Sequence, residues 1–246
     1  MNVLVFGGMG KTAKPIIDLL DKDNHSITIF DIASEDLLAR NEKHRVICGD
    51  IADREAVNSA MRGMDAAIHL AVNISGIHND ELTFKTNVFG TYNILCGALA
   101  NKIPKVLIAS SAPVHTINHA NRNVDYVCFA GEDFAYDLTK NLQEVIAGHF
   151  SLSYAMNCLV LRLGHIVDGT TQTTLSGGPL SELFYCKGGW VCRYDVAEAF
   201  LKALKADFTG YHMINIIGSY QAGDLFDLSA AKGLIGFECR QKFFGY

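Results

Sequence analysis

The chain has 246 residues, about half of them apolar, and a formal charge of −5. This composition supports a sizeable buried core, and the acidic balance gives no electrostatic reason to expect nucleic acid or an anionic membrane as a partner. Seven cysteines scatter without a CxxC pair and nine histidines without an HExxH or a tight cluster, so neither a disulfide frame nor a metal site is expected. No run approaches the roughly 20 apolar residues that span a bilayer, and the first apolar stretch, Asn2 to Phe6, has no basic region before it. A cytoplasmic location is expected.

Asn2 to Phe6 reads as a buried strand, followed by Gly7-Gly8-Met9-Gly10 and a periodic apolar stretch ending near Leu20. That is a strand, a glycine turn and a helix. Gly7 and Gly10 keep the turn tight and let backbone approach a phosphate. Gly7, Met9 and Gly10, with the free N–H groups of the following helix, therefore form a candidate pyrophosphate site. The second strand, Ser26 to Phe30, ends at Asp31. A carboxylate there suits the ribose hydroxyls of NAD and repels the extra phosphate of NADP. Lys11 favours that phosphate, but Asp31 argues the other way, and NAD is expected over NADP.

A third strand, Arg45 to Cys48, leads into Gly49-Asp50-Ile51, and a fourth, Ala66 to Leu70, into the loop 71–76. A long helix from about Asp80 to Asn101 precedes Pro104. The fifth strand, Lys105 to Ala109, runs into Ser110-Ser111. After an irregular stretch comes a helix carrying Tyr136 and Lys140, to about Ser151, and then a sixth strand, Asn157 to Leu161. This alternation predicts an α/β fold with a doubly wound parallel sheet ordered 3-2-1-4-5-6. Ligands of such sheets bind at the C-terminal strand ends, where Gly7, Asp31, Ala71 and Ser111 fall.

Beyond Leu163 the stretches 168–174 and 176–179 read as loop, Arg193 to Ala206 as an amphipathic helix, Tyr211 to Ile216 as a strand and Asp224 to Gly233 as a short helix. These are expected to form a small C-terminal substrate cap. The chain then divides into a cofactor-binding core at 1–163 and the cap with the last sheet elements at 164–246, in one continuous globular unit.

Tyr136 and Lys140 stand one helical turn apart on one face. An ammonium beside a phenol favours the phenolate, so such a tyrosine gives or takes a proton near neutral pH.

Together these motifs resemble the extended short-chain dehydrogenase/reductase family, the NAD-dependent epimerase/dehydratases, over roughly residues 2 to 237. The glycine turn is that family's GxxGxxG with Ala13 in third place, and Phe6 stands where a Thr is usual. Gly49-Asp50-Ile51 resembles the segment that reaches the adenine. Asn87-Val88-Phe89-Gly90-Thr91-Tyr92-Asn93 resembles the helix motif whose first Asn supports the active site. Ser110-Ser111-Ala112 resembles the serine strand end, at the family's usual distance before Tyr136. Leu161-Arg162-Leu163, Tyr194-Asp195-Val196-Ala197 and Asn215-Ile216-Ile217-Gly218 match later landmarks.

The resemblance implies a Rossmann sheet and a catalytic set. Tyr136 is the expected general acid/base and Lys140 the holder of the nicotinamide ribose. Ser111 is expected to bond the reacting oxygen and Asn87 to give polar support, or else to serve as a helix-packing Asn. Asp50, Ile51 and Ala71 join Gly7, Met9, Gly10 and Asp31 on the cofactor. The resemblance also implies a homodimer through the Asn87 and Tyr136 helices.

Only a short stretch separates Leu163 from the Arg193 helix, which favours a small polar substrate over a nucleotide diphosphate sugar. Among shorter members the chain is similar to uronate dehydrogenases, in the Ser75 loop, Ser110-Ser111, Arg162-Leu163-Gly164 and the closing Gly233 to Phe237. Ser75, Ser111 and Arg162 are thus the candidate substrate contacts. Arg162 could pair with a substrate carboxylate or be structural. His115 and His119 read as surface loop residues, and Trp190 and Tyr185 as cap core. The reading is a dehydrogenase acting on a hydroxyl or carbonyl of a small, sugar-like molecule. The alternatives are an epimerase or dehydratase that retains NAD, and a non-catalytic NAD-binding sensor or scaffold.

Overall fold

The computed structural model describes residues 1–32, 43–74, 80–112, 134–183 and 189–243. The elements of the first half are β1 (Asn2–Phe6), α1 (Ala13–Lys22), β2 (Ser26–Asp31), β3 (Arg45–Cys48), α2 (Arg54–Ala60) and β4 (Ala66–His69). Next come α3 (Asp80–Phe84), a π-helical turn (Lys85–Gly90), α4 (Thr91–Ala100), β5 (Val106–Ser111), α5 (Phe134–Tyr154) and β6 (Cys158–Leu163). The last are β7 (His165–Asp168), β8 (Thr173–Thr174), β9 (Trp190–Cys192), α6 (Arg193–Lys205), β10 (Tyr211–Ile216), α7 (Ala222–Leu225) and α8 (Ser229–Ile235).

Seven strands form one sheet in the order β10-β6-β5-β4-β1-β2-β3, and every pairing is parallel. The expected order of the first six strands holds, with β10 added beyond β6. The central strands are apolar on both faces because helices cover both sides. Strand alternation sorts each run: Val3 and Val5 enter the core under α1 and α6, whereas Leu4 and Phe6 enter the core under α2, α4 and α5. Each such large side chain taken fully from water contributes roughly 1.5–3 kcal/mol. The two cores share the sheet as their common wall.

Two expectations about the C-terminal part change. The helix Arg193–Lys205 and the strand Tyr211–Ile216 are not cap elements. β10 completes the main sheet beside β6. Val196, Phe200 and Leu204 of α6 enter the same core as Ile16, Ile17 and Leu20 of α1. Lys105, from the segment before β5, donates to the Leu204 carbonyl at 2.8 Å near the end of α6 and lies 5.0 Å from the Phe208 ring centroid. Cations at helix C-termini are stabilising. Beyond Leu163 a second sheet forms, ordered β8-β7-β9, and β8 lies inside the stretch 168–174 read as loop. Val167, Trp190, Cys192 and Phe243 form its small core, with Trp190 edge-on to Phe243 at 5.8 Å.

Helix α2 was not read from the sequence, and the single helix expected over Asp224 to Gly233 is two, α7 and α8. No helix among the described residues is long and apolar enough to cross a membrane. Among the described residues Cys96, Cys158, Cys192 and Cys239 are free thiols.

Candidate active site

The glycine turn joins β1 to α1 at the C-terminal edge of the sheet. Gly7 has φ +76, where an L side chain is strained, and a Cβ there would fall 2.5 Å from the Ala71 backbone nitrogen. Conformation and the close passage of the chain after β4 both require glycine. The Gly10 N–H donates to the Gly7 carbonyl at 3.2 Å, and the Ala13 N–H to the Gly10 carbonyl at 3.1 Å. Thr12 leads into α1 without a side-chain cap, and the first turn holds no acidic residue. The helix start therefore offers backbone N–H groups and its positive end to an anion.

Asp31, at the end of β2, accepts the Met9 N–H on Oδ2 at 2.9 Å. A carboxylate has several acceptor positions, so the same group can also accept from ribose hydroxyls. Gly7, Met9, Gly10, Asp31 and Ala71 are thus brought together, and they fit the pyrophosphate and ribose of a dinucleotide. Lys11 donates to Ser176 Oγ at 3.0 Å, and Arg193 Nη2 to the Lys11 carbonyl at 3.3 Å. These contacts seat residue 176, beyond β8, and the start of α6 against the glycine turn.

Asp50 accepts the Ala52 N–H at 2.9 Å and pairs with Lys85 at 3.1 Å. Partial burial works against its carboxylate, but the Ala52 N–H and the Lys85 ammonium outweigh it and hold the pKa below the ordinary value. The Ile51 side chain is core, packed where Gly90 has no Cβ. Only its backbone is left to serve a cofactor.

Around the candidate catalytic residues, Asn87 is fully buried in the π-helical turn, a distortion frequent at functional sites. Its Oδ1 accepts the Asn73 N–H at 2.8 Å. Its Nδ2 donates to the Asn73 carbonyl at 3.1 Å and to Thr139 Oγ1 at 2.9 Å. Thr139 Oγ1 in turn donates to the Tyr136 carbonyl at 3.0 Å. Asn87 therefore clamps the segment after β4 to the first turn of α5, which is more than helix packing.

Tyr136 is half-buried in that first turn, and Ser111 is buried at the end of β5. Lys140 is buried, and its Nζ donates to the Ala109 carbonyl at 2.6 Å, two residues before Ser111. Burial pulls the Lys140 pKa down to about 8, with Glu144 acting in the opposite sense. His69, on β4, is buried and bonds Thr91 Oγ1 at 2.9 Å and Gln143 Nε2 at 3.0 Å. Burial, then the nearby Lys140 charge, lower its pKa to about 3, so it is neutral.

Arg162 is not a free anchor for a substrate carboxylate. Its Nη2 lies 2.7 Å from Glu144 Oε2 and its Nε 3.1 Å from Oε1, with both side chains buried. This pairing supports the structural reading of Arg162, because the Nε–Nη2 edge of its guanidinium is already met by Glu144. Glu144 was missed in the sequence, and Ser110 was named there only as part of the serine strand end. The signal was the extension of the Tyr136–Lys140 spacing by four more residues. Ser75, His115, His119 and Tyr185 lie outside the described residues.

A dinucleotide cradle at the first βα turn, with a lysine–tyrosine helix against a serine-ended strand, defines a nicotinamide-dependent enzyme of the short-chain type. Residues 3–174 match the model of the NAD dependent epimerase/dehydratase family. The chain belongs to that family, and its cofactor is NAD. L-arabinose 1-dehydrogenase (NAD(P)(+)) of Haloferax volcanii is 23% identical over 83% of this chain and 83% of its own length. Uronate dehydrogenase of Pseudomonas syringae pv. tomato is 25% identical over 66% of this chain and 58% of its own. The fold superposes on UDP-glucose-4-epimerase from Stenotrophomonas maltophila, solved with NAD and formylated UDP-arabinopyranose. The TM-score is 0.75 at 18% identity, covering 98% of this chain and 94% of that one.

Proposed function

We propose that the chain is an NAD-dependent dehydrogenase acting on a hydroxyl or carbonyl of a small sugar, with Tyr136 as general acid/base. The observation that carries this reading is the bond from Lys140 to the Ala109 carbonyl, which ties the tyrosine helix to the strand ending in Ser111. NAD, when bound, supplies the uptake and return of a hydride at the substrate carbon. The chain supplies orientation and the proton. In oxidation the Tyr136 oxygen takes the hydroxyl proton as the carbonyl forms; in reduction it returns it. The Lys140 ammonium favours the phenolate and binds the nicotinamide ribose. Ser111 orients the reacting oxygen, and Asn87 holds the helix bearing Tyr136 in place.

The substrate class rests on two relatives whose names specify arabinose and uronate. With Arg162 paired to Glu144, no described residue favours a sugar acid over a neutral aldose. Ser75 is retained as a proposed substrate contact. The second reading is an epimerase that retains NAD. It is supported by the match over 94% of a UDP-glucose-4-epimerase chain, which removes chain length as an argument against nucleotide sugars. A panel of aldoses, uronic acids and UDP-sugars with NAD and NADP separates the readings. NADH accumulating at 340 nm on a free sugar supports the dehydrogenase. An isomer formed without net NADH supports the epimerase, and NAD binding without turnover of any panel member supports a sensor.

A homodimer in the cytoplasm completes the proposal. Phe89, Tyr92 and Leu99, from the π-helical turn and α4, and Val145, Leu152 and Tyr154 of α5 are large apolar side chains left exposed. Their surface is assigned to a second copy. Light scattering at micromolar concentration is expected to give twice the chain mass, and a monomer mass contradicts it.

A further inference from the structure

Helix α5 carries a third polar group on the face that bears Tyr136 and Lys140. Glu144 lies one further turn along and is 4% exposed. It reaches two neighbouring strands at once. Oε1 accepts Ser110 Oγ at 2.6 Å from β5, and both carboxylate oxygens accept from Arg162 of β6 at 2.7 to 3.2 Å. Ser110 and Arg162 are direct register partners across the sheet. Arg162 is itself 5% exposed and also points Nη2 at Met213 Sδ, 3.1 Å away, on β10.

A buried ion pair is an odd choice if stability alone is at stake. Taking two charges from water costs several kcal/mol per ion, and well-packed apolar side chains of similar volume often serve as well or better. What a charged, four-bond contact provides is geometry: it admits one placement of the helix against the strands. Ala109, Ser110 and Ser111 are consecutive: the first two meet Lys140 and Glu144, and Ser111, the proposed contact of the reacting oxygen, follows at the strand end.

We propose that Glu144, fixed by Arg162 and Ser110, is a positioning residue. It sets the register of α5 on the end of β5 and keeps Lys140 charged and in place for Tyr136 and Ser111. This rests on the Tyr136 reading above. The titratable and charged groups described around Lys140 are Tyr136 and Glu144 on its own helix and His69 from β4, with Arg162 from β6 behind Glu144. Of these, Glu144 is the one that favours the Lys140 ammonium, while burial opposes it.

The test uses the paired replacement Glu144→Met with Arg162→Met, which leaves neither member of the ion pair buried without the other. Melting temperature is expected to stay near wild type, and NAD affinity to fall no more than a few-fold through the Lys140 contact, because neither replaced residue touches the glycine-turn cradle. Turnover is expected to fall at least about tenfold with little change in KM, and the alkaline limb of the pH–rate profile to move down by about half a unit. A stable double variant with wild-type turnover and pH profile overturns the proposal. Ser110→Ala removes one bond and little volume. It gives the same reading if the double variant does not fold: a smaller loss of turnover at constant KM supports the proposal, and unchanged kinetics overturns it. Tyr136→Phe run in parallel keeps the two claims apart, since activity surviving there removes the catalytic reading whatever Glu144 does.

Discussion

Lys140 donates a 2.6 Å hydrogen bond to the carbonyl of Ala109, and this bond joins the helix of Tyr136 to the strand of Ser111. The lysine is buried, its pKa drawn down by desolvation to about 8. Its charge is therefore present at neutral pH and lost within the range an assay can reach. Turnover is expected to fall as pH rises through about 8, because an uncharged Lys140 no longer favours the Tyr136 phenolate. A plateau extending past pH 10 would show that this lysine does not govern the chemistry.

His69 gives the opposite kind of pH dependence, in stability. Its folded pKa of about 3 lies below the ordinary value of 6.5, so between those values the unfolded chain binds the extra proton. Stability is present above pH 6.5 and is lost as pH falls toward 3, at about 1.4 kcal/mol per pH unit from this group. Urea midpoints measured from pH 7 to 4 are expected to fall more steeply for wild type than for His69→Gln. Equal slopes would contradict the buried neutral state.

Asp31→Ala removes the acceptor of the Met9 N–H and the carboxylate proposed for the ribose. Hydrogen bonds to a charged group contribute about 1.5–3 kcal/mol, or about ten- to hundredfold in Kd. NAD is expected to weaken by that factor and NADP by less, read by calorimetric titration. An equal loss for both would remove Asp31 as the basis of NAD preference.

Asn87→Ala leaves the Asn73 backbone groups and Thr139 without their shared partner. Destabilisation of about 1–3 kcal/mol is expected from the unpaired groups. Turnover is expected to fall further than stability explains, because Thr139 anchors the Tyr136 turn. Full turnover in a folded variant would return Asn87 to simple packing.

Much of this was readable in the residues, for physical reasons. Strands buried on both faces are continuous apolar runs, so Val3 to Phe6 and Val106 to Ala109 declared themselves, and right-handed crossovers left one strand order. Gly7 and Asp31 were legible because a phosphate turn and a ribose contact demand particular residue types at particular strand ends. The second sheet was not legible: β8 and β9 are two and three residues long, too short for any period to show. Arg162 was ambiguous because its partner lies on another element. No local pattern distinguishes an arginine that meets a substrate from one that meets Glu144 across the core.

The most direct measurement of the central claim is turnover by Tyr136→Phe, on whichever panel substrate the wild type uses, alongside NAD affinity. The substitution removes one oxygen and leaves the Lys140 and Asn87 contacts in place. Turnover is expected to fall by at least about a hundredfold, the usual contribution of a positioned acid/base, with NAD affinity nearly unchanged. Turnover within a few-fold of wild type would contradict the assignment of Tyr136.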